Sequence, residues 1–368
     1  MLVLNAQKDS LLKPLQAVVG VVERKHTLPI LSNVLIDCAD GRAAFIATDL
    51  ELQITTWLDN GVESDGAFTV SARKFLDICR ALPDEAHVAL DLNNDQLKIK
   101  AGKSRFSLQT LPALDFPRLQ SSETEGIRVE LSQGHLRHLL VRAQYAMAVQ
   151  DIRYYLNGML LSFQQDRLTV VATDGHRLAL DAIKLDNPPA MPMDIILPRK
   201  TVMELIKLLG EDDTALNVQI SNNQVVFIHP AFELRSKVVD GKFPDYQRVV
   251  PSGHDKQFAI GRQRFQQALS RTAILTNEKY RGVRLAMTTG SLRIACSNNE
   301  QEEAQEELEV AYDFEPLDIG FNVQYLQDVL NNLNVEAVQC SLRDASSSLL
   351  ITIPGEEYFH YVVMPMRI

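Results

Sequence analysis

The feature that most constrains this chain is a recurrence. Six short apolar strands, at Val3, Phe68, Val129, Ile195, Phe258 and Ile319, each run into an amphipathic helix, and neighbouring copies lie roughly 61 to 66 residues apart. So regular a spacing marks one supersecondary unit used six times, longer than the common solenoid repeats. Helix starts follow the strands at Ser10, Ser71, Ser132, Pro198, Gly261 and Asn322. Ser, Asn and Gly suit an N-cap and Pro suits the first turn. The sixth helix is expected to run from Asn322 to Asn334.

After each helix the period drops to two. Val88-Ala-Leu90-Asp-Leu92, then Asn93-Asn94-Asp95, then Leu97-Lys-Ile99-Lys-Ala101 reads as a hairpin, and residues 218–228 and 338–353 repeat it. Consecutive units pair into three larger repeats, ended by Phe116-Pro117 and Phe243-Pro244 about 127 residues apart. Three domains are expected, at residues 1–125, 126–252 and 253–368, with polar, turn-rich linkers near 121–126 and 251–256. One helix per strand set, without doubly wound alternation, predicts α+β domains whose helices cover one side of antiparallel sheets. A barrel-like or edge-shared arrangement would then dispose of the strand edges.

At 368 residues and 46% hydrophobic content the chain can bury several cores. Cys38, Cys79, Cys296 and Cys340 sit in separate apolar segments with no C-x-x-C spacing. Neither a zinc site nor a disulfide framework is indicated, no cofactor motif is present, and a reduced cytoplasm fits best. There is no apolar signal core and no run of about 18 apolar residues, which argues against secretion and membrane spanning.

The net charge of -10 argues on average against a general nucleic-acid binder. Its distribution argues the other way. Five of the six helical segments carry bases: Lys8, Lys13, Arg24 and Lys25; Arg73, Lys74 and Arg80; His135, Arg137, His138 and Arg142; Arg199, Lys200 and Lys207; Arg262, Arg264 and Arg271. Residues 133–150 contain no acid, and only the sixth helix breaks the pattern, with Asp328 and no base. A solvated face would explain any one helix; five together predict a surface for a polyanion. No helix-turn-helix, zinc finger or ribonucleoprotein motif offers base readout, so sequence-independent contact with duplex phosphates is expected. The loop with Gln150, Arg153, Tyr154 and Tyr155 would lie against the DNA.

Val171-Ala-Thr-Asp-Gly-His-Arg-Leu178 puts a charged cluster directly after an apolar strand. Asp174 and His176 would make an acid–base pair, the centre of a hydrolase. Against that stand the lack of a nucleophile elbow, the lack of a second carboxylate at metal-ligand spacing, and recurrence of the strand ending, without histidine, at Ile46-Ala-Thr-Asp-Leu50 and Ile294-Ala-Cys-Ser-Asn298. A turn role is the simpler reading.

The acidic run from Glu300 through Glu302 and Glu303 to Glu307 has a counterpart of opposite sign near the other end of the chain. Lys100, Lys103 and Arg105 flank a strand containing Phe106 and Leu108, with Lys74 on the adjacent helix. Acid in the last domain and base in the first predict a heterologous, head-to-tail contact between copies, to which Ile274 and Leu275 would add apolar area. The charges would chiefly set register and steer assembly. The Met-rich end, residues 361–368, is either a last core strand or an adaptable surface for apolar peptides.

Over essentially its whole length the chain resembles the bacterial DNA polymerase III beta subunit family, the sliding clamps. The resemblance is carried by Leu11-Leu-Lys-Pro-Leu15, Thr27-Leu-Pro-Ile30, Arg153-Tyr-Tyr-Leu-Asn-Gly158, Ala172-Thr-Asp-Gly-His-Arg-Leu178, Ser236-Lys-Val-Val-Asp-Gly-Lys-Phe-Pro-Asp-Tyr246, Asn277-Glu-Lys279 and Met364-Pro-Met-Arg367. It implies a non-catalytic processivity factor without cofactor: a head-to-tail homodimer of three-domain chains, helices lining a hole around duplex DNA and sheets outside. It implies a pocket between the second and third domains for short motifs with a Gln and apolar or aromatic anchors. Such motifs would be carried by the polymerase III alpha subunit, the clamp loader, other polymerases and repair proteins.

Positions matching that pocket are Leu156, Thr173, Gly175, His176, Arg177, Leu178, Pro244, Arg248, Val249, Asn322, Tyr325, Ser348, Val362, Val363, Met364, Pro365, Met366 and Arg367. Positions matching the DNA-facing residues are Lys25, Arg73, Arg80, Gln150, Tyr154, Tyr155, Arg199 and Lys200. Lys25 stands where many relatives carry Arg, which keeps the charge and loses the fork. Ala345-Ser346 departs from common family sequence beside the pocket.

Overall fold

The computed structural model of the protein describes residues 1–23, 28–120, 126–221 and 223–367. Along the chain one unit recurs: strand, helix, three strands. The first is β1 (Leu2–Gln7), α1 (Lys8–Val19), β2 (Asn33–Ala39), β3 (Arg42–Thr48) and β4 (Leu52–Leu58); the second is β5 (Gly66–Ser71), α2 (Ala72–Ala81), β6 (His87–Asn93), β7 (Gln96–Ala101) and β8 (Ser104–Pro112). The third is β9 (Ile127–Ser132), α3 (Gln133–Ala143), β10 (Gly158–Gln164), β11 (Arg167–Thr173) and β12 (Arg177–Lys184); the fourth is β13 (Met193–Pro198), α4 (Arg199–Leu208), β14 (Ala215–Ile220), β15 (Gln224–His229) and β16 (Phe232–Lys237). The fifth is β17 (Lys256–Gly261), α5 (Arg262–Thr272), β18 (Gly282–Thr288), β19 (Ser291–Ser297) and β20 (Glu303–Glu309); the sixth is β21 (Leu317–Asn322), α6 (Val323–Asn332), β22 (Ala337–Leu342), β23 (Leu349–Thr352) and β24 (His360–Val363).

Every expected strand–helix pair is present, with small shifts at the helix starts. α1 begins at Lys8 rather than Ser10, because Lys8 is buried and its Nζ donates to the Leu82 carbonyl at 2.6 Å and to Asp84 at 2.9 Å. Ser71 and Gly261 turn the backbone into α2 and α5 without a side-chain cap, whereas Asn322 caps α6 by accepting from the Gln324 N–H at 2.9 Å. α6 stops at Asn332, short of Asn334, where Leu333 turns extended. The helices bury narrow stripes at the 3.6-residue period: Phe75, Leu76 and Cys79 in α2, Phe265, Ala268 and Leu269 in α5, Leu326, Val329 and Leu330 in α6. All four cysteines are buried and free, and burial pushes the Cys79 and Cys340 thiols up to about 12, which makes them poor nucleophiles.

The chain divides into two compact units. Residues 1–134 and 203–238 build a 12-stranded sheet in the order β1-β6-β7-β8-β5-β2-β3-β4-β16-β15-β14-β9. Residues 135–202 and 239–368 build an eight-stranded sheet, β13-β10-β11-β12-β24-β23-β22-β17, and a four-stranded one, β20-β19-β18-β21. The strand pairings among the described residues are antiparallel, as in β3 on β4 and β11 on β12.

One building rule generates these orders. Each unit lends its first strand to the neighbouring unit of its pair, giving four-stranded sets such as β5-β2-β3-β4 and β16-β15-β14-β9. Two sets then join edge to edge, β4 on β16 in one sheet and β12 on β24 in another. The sheets therefore run across the expected borders near residues 125 and 252, and edge sharing protects the strand edges there. Among the described residues two sets have no such partner: β21-β18-β19-β20 ends on β20, and in β8-β7-β6-β1 residues 104–109 of β8 bond β7 on one side only.

Candidate functional site

The turn between β11 and β12 is built from side chains that bond backbone. Thr173 Oγ1 donates to the Arg177 carbonyl at 2.6 Å and accepts from the Gly175 N–H at 3.1 Å; Asp174 Oδ1 accepts from the N–H groups of His176 and Arg177 at 2.9 and 3.0 Å. Short polar side chains that satisfy turn amides are the reason Thr and Asp occur here. Gly175 adopts φ 90°, which favours glycine, and a Cβ there would crowd Arg153 Nη2 at 3.1 Å.

The turn aims Arg177 at α6. Its Nε donates to Asp174 Oδ2 at 3.1 Å, its Nη1 donates to Asp328 Oδ2 at 2.5 Å, and its guanidinium lies 4.5 Å above the Tyr325 ring. Burial alone would lower the Arg177 guanidinium; the neighbouring Tyr361 hydroxyl and the Asp328 and Asp174 carboxylates outweigh it, and the net direction is upward. Asp328, which broke the basic pattern of the helices, is thus the counter-ion of a nearly buried cation. Asp174 is spent on two amides and this guanidinium. His176 is exposed, and its carbonyl accepts from the Met364 N–H at 2.9 Å.

Beside this turn lies a cavity of about 170 Å³. The expected residues Leu156, Thr173, Gly175, Arg177, Leu178, Pro244, Val249, Val362 and Met364 line it, together with Arg153, Phe243 and Tyr246, which were not expected. Phe243 packs with Leu160, Val171, Leu178, Ile196 and Val362 to form the floor. Arg153 is held by Asp151, its Nε and Nη2 donating at 3.0 and 2.9 Å, and these bonds lower the Asp151 carboxyl to about 2. The Arg153-Tyr-Tyr and Phe243-Pro repeats were visible signals; what they lacked was a way to tell wall from surface.

The remaining expected positions are not among the residues that line the cavity. Asn322 caps α6, Tyr325 lies under Arg177 and its carbonyl accepts from the Tyr361 hydroxyl at 2.8 Å, and the Ser348 carbonyl bonds His254 Nε2 at 2.8 Å. Val363 is buried, Met366 bridges to Gly320, Pro365 is half-buried, and Arg367 is exposed. Arg248 is exposed and paired with Asp245 at 2.9 Å. The Ala345-Ser346 stretch folds as a turn on Asp344, whose Oδ1 accepts from the Ser346 N–H at 2.9 Å. Among the described residues no cluster of three or more His, Cys, Asp or Glu gathers as for a metal ion, and no helix is long and apolar enough to cross a membrane.

Family models for the N-terminal, central and C-terminal domains of the DNA polymerase III beta subunit match residues 2–120, 130–245 and 247–367. The chain belongs to the DNA polymerase III beta subunit family. It is 45% identical to the beta sliding clamp of Pseudomonas putida over 98% of this chain and 99% of the relative, and 44% identical to that of Escherichia coli K12 over 99% of each. Among solved structures it is similar to the Pseudomonas aeruginosa sliding clamp bound to griselimycin, with 44% identity, full coverage of both chains and a TM-score of 0.94. It is also similar to the Bartonella birtlesii clamp bound to the same compound, at 38% identity, full coverage and a TM-score of 0.94.

The basic residues of the helical segments face solvent less often than the sequence implies. Lys8 is buried under α2, and Arg142 is buried with Asp181 at 3.2 Å and Glu356. Arg262 donates to the Leu330 and Val335 carbonyls, and Arg271 pairs with Glu306. Lys8, Arg142 and Arg262 serve the fold, which corrects their reading as part of a phosphate-facing layer, whereas Arg271 stays exposed beside its carboxylate. Arg73 and Arg80 are exposed on α2, with Arg73 Nη2 donating to the Val22 carbonyl at 2.8 Å. Gln150 and Tyr154 are exposed, Tyr155 is half-buried edge-on to Tyr154, and Lys200 is half-buried. Arg199 is half-buried, donates to the Met147 carbonyl at 3.2 Å, and is lowered by burial and by Arg177. Lys25 lies outside the described residues.

The residues expected at the contact between copies fall on the two unpartnered edges. On or beside β8, Lys103, Arg105 and Phe106 are exposed, Leu108 is half-buried, and Lys100 pairs with Asp91 at 2.6 Å; Lys74 is exposed on α2. On and beside β20, Glu300, Glu302 and Glu303 are exposed. Ile274 is 77% exposed, unusual for an isoleucine, and Leu275 is half-buried beside it.

Proposed function

We propose that two copies of this chain pair head to tail, β20 of one on β8 of the other, and close a ring whose helices surround duplex DNA. The ring acts as a non-catalytic tether: Arg73, Arg80, Gln150, Tyr154, Tyr155, Arg199, Lys200 and Lys25 hold phosphates loosely, and topology keeps it on the duplex. The cavity beside Arg177 takes short motifs of the polymerase III alpha subunit, the clamp loader, other polymerases and repair proteins, which compete for it. A cavity that is apolar with a few fixed polar groups suits such anchors, and griselimycin bound to the relatives' clamps is in keeping with a ligand site in this family. Three domains, divided near residues 125 and 252, supply the segments of the ring.

One observation carries this reading: the chain contains two joined edge-to-edge seams and the two unjoined halves of a third. β8 is to its set what β16 and β24 are to theirs, and β20 corresponds to β4 and β12. The existing seams even predict the register of the missing one. Arg235 stands opposite Gln53, and Val362 opposite Leu178. Followed through the hairpins, Ser107 occupies the place of Arg235 and Val362, and Glu303 that of Gln53 and Leu178. The seam between copies should therefore set Ser107 opposite Glu303 and Phe106 opposite Ala304, with Ile274 and Leu275 near enough to cover the apolar side chains.

Directly opposed strand residues lie about 4.5–5.5 Å apart at Cα, within disulfide range. The double variant Ser107→Cys, Glu303→Cys should oxidise to a covalent dimer on non-reducing gels. Moving the second cysteine four residues along, as Ser107→Cys with Glu307→Cys, should abolish it. A monomer in the first case, or equal cross-linking in both, would overturn the seam. The hydrolase alternative centred on Asp174 and His176 has no support in the geometry, since the carboxylate is committed to the turn and to Arg177.

A further inference from the structure

The sheet face that carries the cavity does not end there. Leu178 and Val362 line the cavity; two residues along the same strands, Leu180 stands opposite His360, and beyond them Ala182 stands opposite Thr169 of β11. Strand alternation puts all of these on one face. The second group floors a separate depression of about 600 Å³, and Tyr246 borders both hollows. The short 3-10 turn Tyr246–Arg248 thus supplies a wall to each of two hollows on one sheet face.

The larger compartment is built like a peptide groove. Leu180, Ala182 and Val250 give it apolar area, while Thr169 and His360 on the floor and Gln164 and Gln247 in the walls offer hydrogen-bonding groups. At its far end Arg167 lies 4.3 Å above the Tyr358 ring and reaches that hydroxyl at 3.4 Å, so aromatic and guanidinium form a flat wall. Asp166 is drawn off by Lys184 at 3.4 Å, His360 Nδ1 is tied to the Tyr358 carbonyl at 3.0 Å, and Glu357 is exposed on the rim. With both signs present and no phosphate-gripping cluster, a nucleic acid is a poor fit.

We infer that this compartment holds the stretch of partner chain flanking the motif anchored in the cavity, as an extended segment that lays an apolar side chain on Leu180 and Val250. The shared Tyr246 wall and the shared strands argue for this occupant: a chain leaving the cavity past Tyr246 meets the second hollow next. This inference rests on the peptide-binding reading of the cavity. Flanking sequence then discriminates among partners whose short motifs are alike, because the second compartment adds contact area that the motif alone does not reach.

The test uses the full-length protein and two labelled peptides from the polymerase III alpha subunit of the same organism: the motif alone, and the motif with about ten residues on each side. Fluorescence anisotropy should show the longer peptide binding at least about fivefold tighter. Thr169→Trp, which fills the trough, and Gln247→Trp, which narrows it from an exposed position, should each erase that gain and leave the short peptide unchanged. Equal affinity of the two peptides for the unmodified protein, or a gain that survives both substitutions, overturns the inference. A short peptide that fails to bind at all overturns the cavity reading, and this inference with it.

Discussion

Two turns in this protein are nearly the same object. After β3, Thr48 Oγ1 donates to the Leu52 carbonyl at 2.9 Å and accepts from the Leu50 N–H at 3.0 Å, while Asp49 Oδ1 accepts from Glu51 and Leu52 N–H groups at 3.0 and 2.7 Å. After β11, Thr173 and Asp174 make the same four bonds to residues 175–177. A third copy after β19 is one residue longer and relies on Asn298, which accepts from Glu300 and Glu302 at 3.0 Å. The Thr-Asp pair is therefore turn chemistry, and whatever is special about the second copy must come from what differs.

Two differences stand out. Leu52 in the first copy becomes Arg177 in the second, a cation with two carboxylates and an aromatic ring waiting for it. Gln53 becomes Leu178. Gln53 Oε1 accepts from the Leu119 N–H at 2.9 Å and draws down the chain after Phe116-Pro117, whereas Leu178 has no polar atom with which to hold the chain after Phe243-Pro244, and Tyr246 becomes a cavity wall instead. The same scaffold ties down the following chain in one place and leaves a cavity in the other.

The comparison can be broken most severely at Arg177. Arg177→Ala leaves Asp174 and Asp328 without their cation and should cost about 3 kcal/mol of stability, while motif-peptide affinity falls by at least about tenfold; thermal melts and anisotropy read the two effects. Unchanged peptide binding would mean the cation is not what separates the copies. A narrower substitution, Leu178→Gln, gives the second turn the side chain of the first. It should close part of the cavity and weaken the peptide by about threefold to tenfold with little loss of dimer, and tighter binding would contradict the seam argument.

The smallest expected effect is electrostatic. Asp151, lowered from 3.8 to about 2 by Arg153, contributes stability that is fully present above 3.8 and is lost as pH falls through about 2. The melting-temperature gap between the protein and Asp151→Asn should be about 1–2 °C near neutrality and shrink as the pH falls below 3.8. A gap independent of pH would show that Asp151 acts through packing rather than through charge.

Much of this was legible in the sequence because the repeat was. A strand, a helix and a hairpin at a steady spacing leave period-two and period-3.6 signals in every copy, so the six units could be read from Val3, Phe68 and their equivalents. Pairing across units was hidden, since nothing in β4 or β16 alone tells which edge it meets. The helix cations were legible only as charges: Lys8 and Arg142 carry the same letters as exposed bases, and only their burial beside Asp84, Asp181 and Glu356 reveals that they hold the fold together. Arg153, Phe243 and Tyr246 were missed as cavity walls for a related reason, because a wall depends on residues some 20 to 200 positions away that meet only in the folded chain.

The most direct test of the whole reading is retention on DNA. The protein, loaded onto nicked circular duplex and washed in high salt, should stay on the circle, because phosphate contacts weaken with salt and a topological link does not; cutting the circle should release it by sliding off the ends. Equal, rapid loss from circular and linear DNA would contradict the closed ring.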